Sequence, residues 1–511
     1  MSAPRIAQYG FPSLAFPSLA IGILAAISIA ACSQDGSGDS ACSSQAALAK
    51  TYQVGPGKAY ASLQQVVSLL AAGDVVEVYG QSAPYAGGVV FSKSGTKASP
   101  IVVRGIPANG ARPVISGGTN TVQFDGSHYV LDGFDITSGS SRNVFHHADD
   151  ITITNTVVHD CAGHGILGAD DGSGSLTLDH VEVYACGSGT NLHPVYMTTD
   201  EVTYPGSVFR MQFCYLHNQK GGNNVKSRSE RNEIYYNWIE GGFYREIELI
   251  GPEGEAAPDL KREDSDVVGN VFVKTQGSNV ARIGGDGDAD TSGRYRFVNN
   301  TFVLAADSPA AIQVFDRVES VELHNNVFYR LGGGAVTVFN TEDAQWVSGE
   351  VIGGSNNWVS TGTSLPATVL GTLSGSDPGF VNATQHDVHL AATSILKGKG
   401  KLPTTSPSGH PFPSPLAAAA YNPPLHAVDP AGQAVARPKS STVALGAYEV
   451  GAQTTPTPSD AGTPVGSTQD GGGAPGTGGG SGGASGDGTG GGTGGGSSSP
   501  SGDKGGACVP H

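Results

Sequence analysis

The residues best suited to chemistry lie between positions 193 and 313 of this 511-residue chain: His193, Tyr196, Lys226, Arg228, Arg245, Glu246, Glu248, Arg282 and Gln313. They supply what a β-elimination from a uronic acid requires. A base takes the proton beside the carboxylate, positive charge steadies the enolate-like intermediate, and an acid protonates the leaving oxygen. Lys226, its pKa lowered by nearby Arg228, is the expected base. Arg228 or Arg282 would hold the carboxylate bidentately, with Arg245 and Gln313 as further substrate contacts. Tyr196 or His193 would give the proton. Glu246 and Glu248, two apart on one strand, offer oxygen ligands for Ca²⁺. Neutralising the neighbouring arginines is the other role open to them.

Charge density marks the same region. Residues 210–262 hold eight of the 28 Lys and Arg together with eight Asp and Glu, a mixed patch and not a basic one. Net charge is −17 overall, which argues against nucleic acid as a partner, since that role needs a broad basic face. Two other motifs carry less. Gly163-His164-Gly165 resembles a segment of polygalacturonase-type hydrolases, but the nearby Asp149-Asp150 and Asp170-Asp171 have the wrong offsets for that chemistry. The spaced aspartates of Gly284–Asp290 suggest a Ca²⁺ loop yet lack the distal Glu of an EF-hand.

These side chains can converge only if the chain coils. An apolar residue, then a second one five later, recurs with first members Leu131, Ile153, Leu178, Met211, Ile234, Val267, Phe297 and Leu323. The fourth place becomes Asn in later copies: Asn237, Asn270, Asn300, Asn326 and Asn357. Asn tolerates tight-turn geometry and can bond a stacked neighbour. Repeats of 22–33 residues without helical stretches are too short for strand–helix–strand units, and propeller blades are longer. Each repeat must therefore add strands to parallel sheets about 4.8 Å from the last. A second strand set falls between copies, at 165–167, 194–197, 224–227, 246–249, 279–283, 311–314 and 335–338. With Val195, Val225, Ile247, Ala281 and Ile312 inward, alternation turns Tyr196, Lys226, Glu248, Arg282 and Gln313 outward as one column. Arg228 and Glu246 are expected to share that face.

The reading is an all-β chain: a right-handed parallel β-helix over 51–450. Tyr60–Ala72 is expected as an amphipathic capping helix. Cys161 and Cys186, spaced like their flanking repeats, are expected to form a disulfide between adjacent coils. Cys42, Cys214 and Cys508 have no assigned role. Residues 1–31 combine a basic start, an apolar run and small residues before Cys32, as an export signal does. Ile29-Ala30-Ala31-Cys32 resembles a bacterial lipobox, which implies lipidation of Cys32 and attachment to a membrane or cell surface. An ordinary signal peptide or a single membrane-spanning anchor is the alternative. A tether over 32–50 and a disordered Gly/Ser/Pro-rich tail over 451–511 complete the layout.

YQVGPGKAYASLQQVVSLLAAGDVVEVYG near the start, with SDPGFVNATQHDVHL and VALGAYEV near the end, resembles the pectate-lyase-like β-helix superfamily. That likeness implies fold more than function, because the superfamily holds lyases, hydrolases, esterases and adhesins. The stretch NLHPVYM…GGNNVKSRSERNEIYYNWIEGG…YREIEL is similar to β-helix proteins catalogued as polysaccharide-acting. By position it selects His193, Tyr196, Lys226, Ser227, Arg228, Asn237 and Glu248, with Asn237 as a substrate contact. The expected function is a surface-anchored, monomeric lyase of an acidic polysaccharide. A non-catalytic glycan-binding or adhesive module is the alternative.

Overall fold

The computed structural model describes residues 48–451 apart from 170, 252–262, 286–292, 316, 342–350, 403–405, 407–417, 430–431 and 439–441. Cys32 with its expected lipid, the export signal, Cys42, most of the tether and of the Gly284–Asp290 motif, the C-terminal tail and Cys508 lie outside the described residues.

Successive strands go in turn to three parallel sheets. Ile151–Thr154 joins a 13-stranded sheet, Val157–His159 a 12-stranded sheet and His164–Gly168 a 10-stranded sheet; Leu176–Asp179 then returns to the first. The chain is a parallel β-helix. Its register is the one the repeat implies: Leu131, Ile153, Leu178, Met211, Ile234, Val267, Phe297 and Leu323 stand directly over one another. So do Ile136, Val158, Val183, Leu216, Ile239, Phe272, Phe302 and Phe328. All sixteen side chains are fully buried. Burying one such column per sheet is the main apolar gain, about 1.5–3 kcal/mol for each large side chain.

The corner between the first two sheets is polar in the later coils. Asn237, Asn270, Asn300, Asn326 and Asn357 are fully buried and stacked. Each backbone N–H of Asn237, Asn270, Asn300 and Asn326 donates to the Oδ1 of the next Asn, at 2.8–2.9 Å. The Nδ2 groups close back onto strand carbonyls such as Val267 O, at 2.8 Å from Asn300. The tight-turn conformation expected of these asparagines falls one residue earlier: Tyr236, Gly269, Asn299, Asn325 and Asn356 have φ of 55–70°. In earlier coils the corner place is held by Phe134, Thr156, Val181 and Cys214, all buried. Cys214 thus has a packing role, and burial pushes its thiol pKa up.

Two expectations need correction. Tyr60–Ala72 is not one helix but two 3₁₀ turns, Leu63–Gln65 and Val67–Leu69, meeting at Val66. β-Branched Val66 and Val67 disfavour a continuous helix, and the paired turns still place Leu63, Val66 and Leu70 over the first coil. The last strand of the 10-stranded sheet is Phe339–Thr341, not 335–338. Gly332, Gly333 and Gly334, all at positive φ, spend extra chain before it. The closing segment covers the outer side of the 12-stranded sheet, where Tyr448 and Val388 pack on Trp238 and Val271. Asn299 Nδ2 donates to Ala444 O at 3.0 Å, and Asn325 exchanges hydrogen bonds with Lys401.

The Asn ladder makes a stability prediction. Asn300→Ala leaves Asn270 N–H without its acceptor and removes the side-chain donor to Asn326 Oδ1 and Val267 O in a fully buried corner. We expect a loss on the order of 3 kcal/mol in denaturant unfolding. A loss below about 1 kcal/mol would show that the ladder is dispensable.

Candidate active site

The polar column forms on the 10-stranded sheet. Tyr196, Lys226, Glu248, Arg282 and Gln313 occupy five consecutive strands in direct register. Their neighbours Val195, Val225, Ile247, Ala281 and Ile312 are buried in the core, so alternation sends the column outward.

Glu248 is its node. Arg282 Nη1 donates to Oε1 at 2.8 Å and Arg245 Nη1 to the same oxygen at 3.2 Å. Asn223 Nδ2 donates to Oε2 at 2.6 Å. Arg245 Nη2 also reaches Gln313 Oε1 at 2.7 Å, bridging the coils between. Both guanidinium groups lie on rings, Arg245 over Tyr244 at 4.1 Å and Arg282 over Phe315 at 3.8 Å. Their Nε atoms are buried without a hydrogen bond. Lys226 Nζ sits 4.8 Å from the centre of the Tyr196 ring. Among the described residues, Lys226, Arg245 and Arg282 outnumber Glu248 on this outward face of a chain of net charge −17.

Two histidines flank the lysine. His193 Nδ1 accepts from Asn223 N–H at 3.0 Å, and His164 Nδ1 accepts from His193 N–H at 3.0 Å. A ring nitrogen that accepts from an amide carries no proton, so His193 keeps its hydrogen on Nε2; His164 Nδ1 stands between the His193 N–H and the His193 carbonyl, 3.2 Å away. Burial, then Lys226, His164 and Arg228, push His193 down to about 3. Burial chiefly brings His164 to about 4. Both rings lie against Tyr196, with centroids 5.4 and 6.0 Å away. Gly222 makes this possible: at φ +62° it turns the chain, and a Cβ there would lie 2.5 Å from His193 Nδ1.

The remaining candidates separate from this cluster. Arg228 sits at its strand's end, 5% exposed, with Nη1 donating to Gly251 O at 3.0 Å. Its charge acts both on buried Glu263 and on His193. Glu246 does not share a face with Glu248. It precedes the strand Ile247–Ile250 and turns into an interior corner, where Lys274 Nζ, Asn224 Nδ2 and Gly242 N–H donate to it. The pair therefore does not converge as a Ca²⁺ site. Among the described residues no group of three or more His, Cys, Asp or Glu is placed to hold a metal. Asn237, taken from the resemblance as a substrate contact, is fully buried in the Asn ladder on another corner. Cys161 and Cys186 form the expected disulfide, with Cα atoms 4.5 Å apart.

Asn223 and His164 were not singled out from sequence, although both touch the centre of the site. Asn223 lay inside the GGNN run before Lys226, where two glycines signal a close backbone approach. His164 lay in a Gly-His-Gly motif set aside because its aspartates did not fit.

No family model matches the sequence, and no curated protein matches it. Among solved structures it resembles pectate lyase Pel9A at 12% identity and a TM-score of 0.40, over 78% of this chain and 96% of that one. An alginate lyase from Paenibacillus sp. str. FPU-7 gives 16% identity and 0.33, over 64% and 98%. A lacto-N-biosidase from Eubacterium ramulus gives 13% and 0.33, over 64% and 66%. The site has to be read from its own residues.

The neutral histidines predict a pH dependence. His146, fully buried, is likewise pushed down to about 4 by burial. The unfolded chain protonates these rings below about 6.5, whereas the folded chain resists until pH 3–4. Their contribution to stability is complete above pH 6.5 and is lost as pH falls toward the folded values. By pH 4.5 each of His146 and His193 should cost about 2 kcal/mol. Thermal melts from pH 7 to 4.5 should fall steeply, and His146→Gln should flatten the slope. An equal slope in the variant would assign the loss to carboxylates.

Proposed function

We propose that this face binds an acidic polysaccharide and cleaves it by β-elimination. The observation that supports this most is the outward row Tyr196–Lys226–Glu248–Arg282–Gln313, in register over five coils and with more cations than anions among the described residues. An extended row on a rigid sheet suits a polymer, and its charge suits an anionic one.

Lys226 is the proposed base. In its neutral form Nζ takes the proton on the carbon beside the uronate carboxylate, and the electron pair left behind passes into that carboxylate. Arg245 and Arg282 stabilise the resulting charge, and Glu248 holds both guanidinium groups in place. The pair then returns to form the carbon–carbon double bond as the glycosidic oxygen leaves. The Tyr196 hydroxyl supplies the proton to that oxygen. His193 is unsuited to this last step: its remaining proton belongs to a neutral imidazole, a hydrogen-bond donor and not an acid at ordinary pH. His193 instead presents its Nε2–H to a sugar hydroxyl. We further propose that Cys32 is lipidated and holds this domain at a membrane or cell surface.

The alternative is a glycan-binding module without turnover. Mutual engagement of Glu248 with both arginines is the observation in its favour. The full chain incubated with uronate polymers separates the two, read by ultraviolet absorbance of the unsaturated uronate that elimination creates. Lys226→Ala should lower the rate by about 10³ with binding retained. Binding that weakens with salt, without any absorbance rise, would establish the module.

A further inference from the structure

A second polar column borders the outward row. Asn120, Arg142 and His164 stand in register at the start of their strands, and His193, Asn223 and Arg245 continue it, one in each coil. Two of its members are arginines seated on rings. Arg245 lies over Tyr244 and is held by Glu248. Arg142 is half-buried and lies over the Phe145 ring at 4.6 Å. Among the described residues its one side-chain hydrogen bond goes from Nη1 to the neutral Asn120 Oδ1, at 3.3 Å, and no carboxylate pairs with it. Its Nε is buried without a hydrogen bond, and Nη2 has no protein partner. Arg104, Arg210, Arg231, Arg294, Arg296 and Arg437, by contrast, each bond a carboxylate. Asp125, two residues past Gln123 on the coil before Arg142, is engaged by Gln123 Nε2 at 2.8 Å. The charge of Arg142 reaches His164 and adds to burial in holding that ring neutral, as the charge of Lys226 does.

From this arrangement, and resting on the reading above, we infer that Arg142 is a second carboxylate station and that the site takes a run of uronates. Phe145, Leu167, Tyr196 and Lys226 follow one another in register, so Arg142 and Lys226 are three coils apart. At the spacing of parallel strands that is about 14 Å, a gap that a short oligouronide spans. With one uronate beside Lys226 and Arg282, a polymer lying along the row brings a further carboxylate to Arg142. The Phe145 ring behind the guanidinium and Asn120 at its side fix the direction of the remaining N–H groups. A guanidinium packed on a ring with a buried, unbonded Nε has lost part of its hydration. A uronate carboxylate replaces that loss with charge-assisted hydrogen bonds. Arg142 lies away from the reacting carbon, so it acts through binding of the polymer and not through the elimination step.

The full chain is titrated calorimetrically with oligogalacturonates and oligomannuronates of graded length, and elimination is read separately by absorbance. Binding should strengthen by about tenfold once an oligomer is long enough to cover three coils, the scale of one charge-assisted hydrogen bond. Arg142→Gln should remove that step, bringing long and short oligomers to one affinity and raising KM for long ones more than it changes kcat. Arg142→Lys should restore part of the step. Arg104→Gln removes the same charge from the outer side of the 13-stranded sheet and should leave the step in place. Thermal melts check that the variants fold. Binding without a length step, a step that survives Arg142→Gln, or an equal loss in Arg104→Gln overturns the inference, and elimination seen in any of these cases leaves the lyase reading standing. A length step lost in Arg142→Gln, with no absorbance rise, upholds the station and overturns the lyase. Failure to bind every uronate overturns both.

Discussion

Everything at the site depends on the register between coils. In a parallel β-helix a side chain gains its neighbours from residues 22–36 positions away, and a slip of one residue in any coil would turn its outward residue inward. Two interactions hold the register. Apolar columns such as Leu131 to Leu323 are continuous from coil to coil, so a slipped coil would bury its polar set. The Asn ladder adds direction, because each Asn satisfies the N–H of the coil before it and has one partner in the coil after it. Apolar contact favours burial without specifying which residue sits where; the amide–amide bonds specify it.

The ladder begins at Asn237, whose Oδ1 accepts from Cys214 N–H, and runs through the coils that carry Glu248, Arg282 and Gln313. The earlier corner holds Phe134, Thr156, Val181 and Cys214, with Cys214 on the coil that carries Lys226. The ladder therefore supports the coils of Glu248, Arg282 and Gln313 and stops one coil short of Lys226. A row of like-signed side chains repels itself, and stacking them about 4.8 Å apart needs a rigid support. Glu248 lowers that repulsion within the row, and Asn223 and the stacked rings Tyr244 and Phe315 fix where the guanidinium groups lie.

The fold was legible because two periods coincide in the sequence: alternation within each strand and recurrence between coils. The five-residue column was legible for the same reason, since alternation inside a strand decides which side a residue takes. Failures occur where a strand ends. Glu246 lies one residue before its strand, in a corner where backbone direction changes and counting by two no longer applies. Arg228 closes its strand and bends to the Gly251 carbonyl. The amphipathic pattern of Tyr60–Ala72 reported correctly which residues are buried, but two 3₁₀ turns satisfy the same pattern. Asn223 carried no pattern, because its role comes from a contact across coils that only the folded register creates.

Holding His193 and His164 neutral follows from the same geometry. Burial is the first force driving the proton off His193, and the field of neighbouring Lys226 acts in the same direction. The Asn223 amide adds a third constraint by occupying His193 Nδ1, which decides that ring's tautomer as well as its charge. Lys226 thus borders a group that adds no positive charge over the physiological range. A protonated histidine there would raise the cost of placing charge on the lysine and change the face's affinity for anions with every shift in pH. By locking the ring through a backbone amide, the coil separates the face's charge from the titration range where histidine ordinarily changes it.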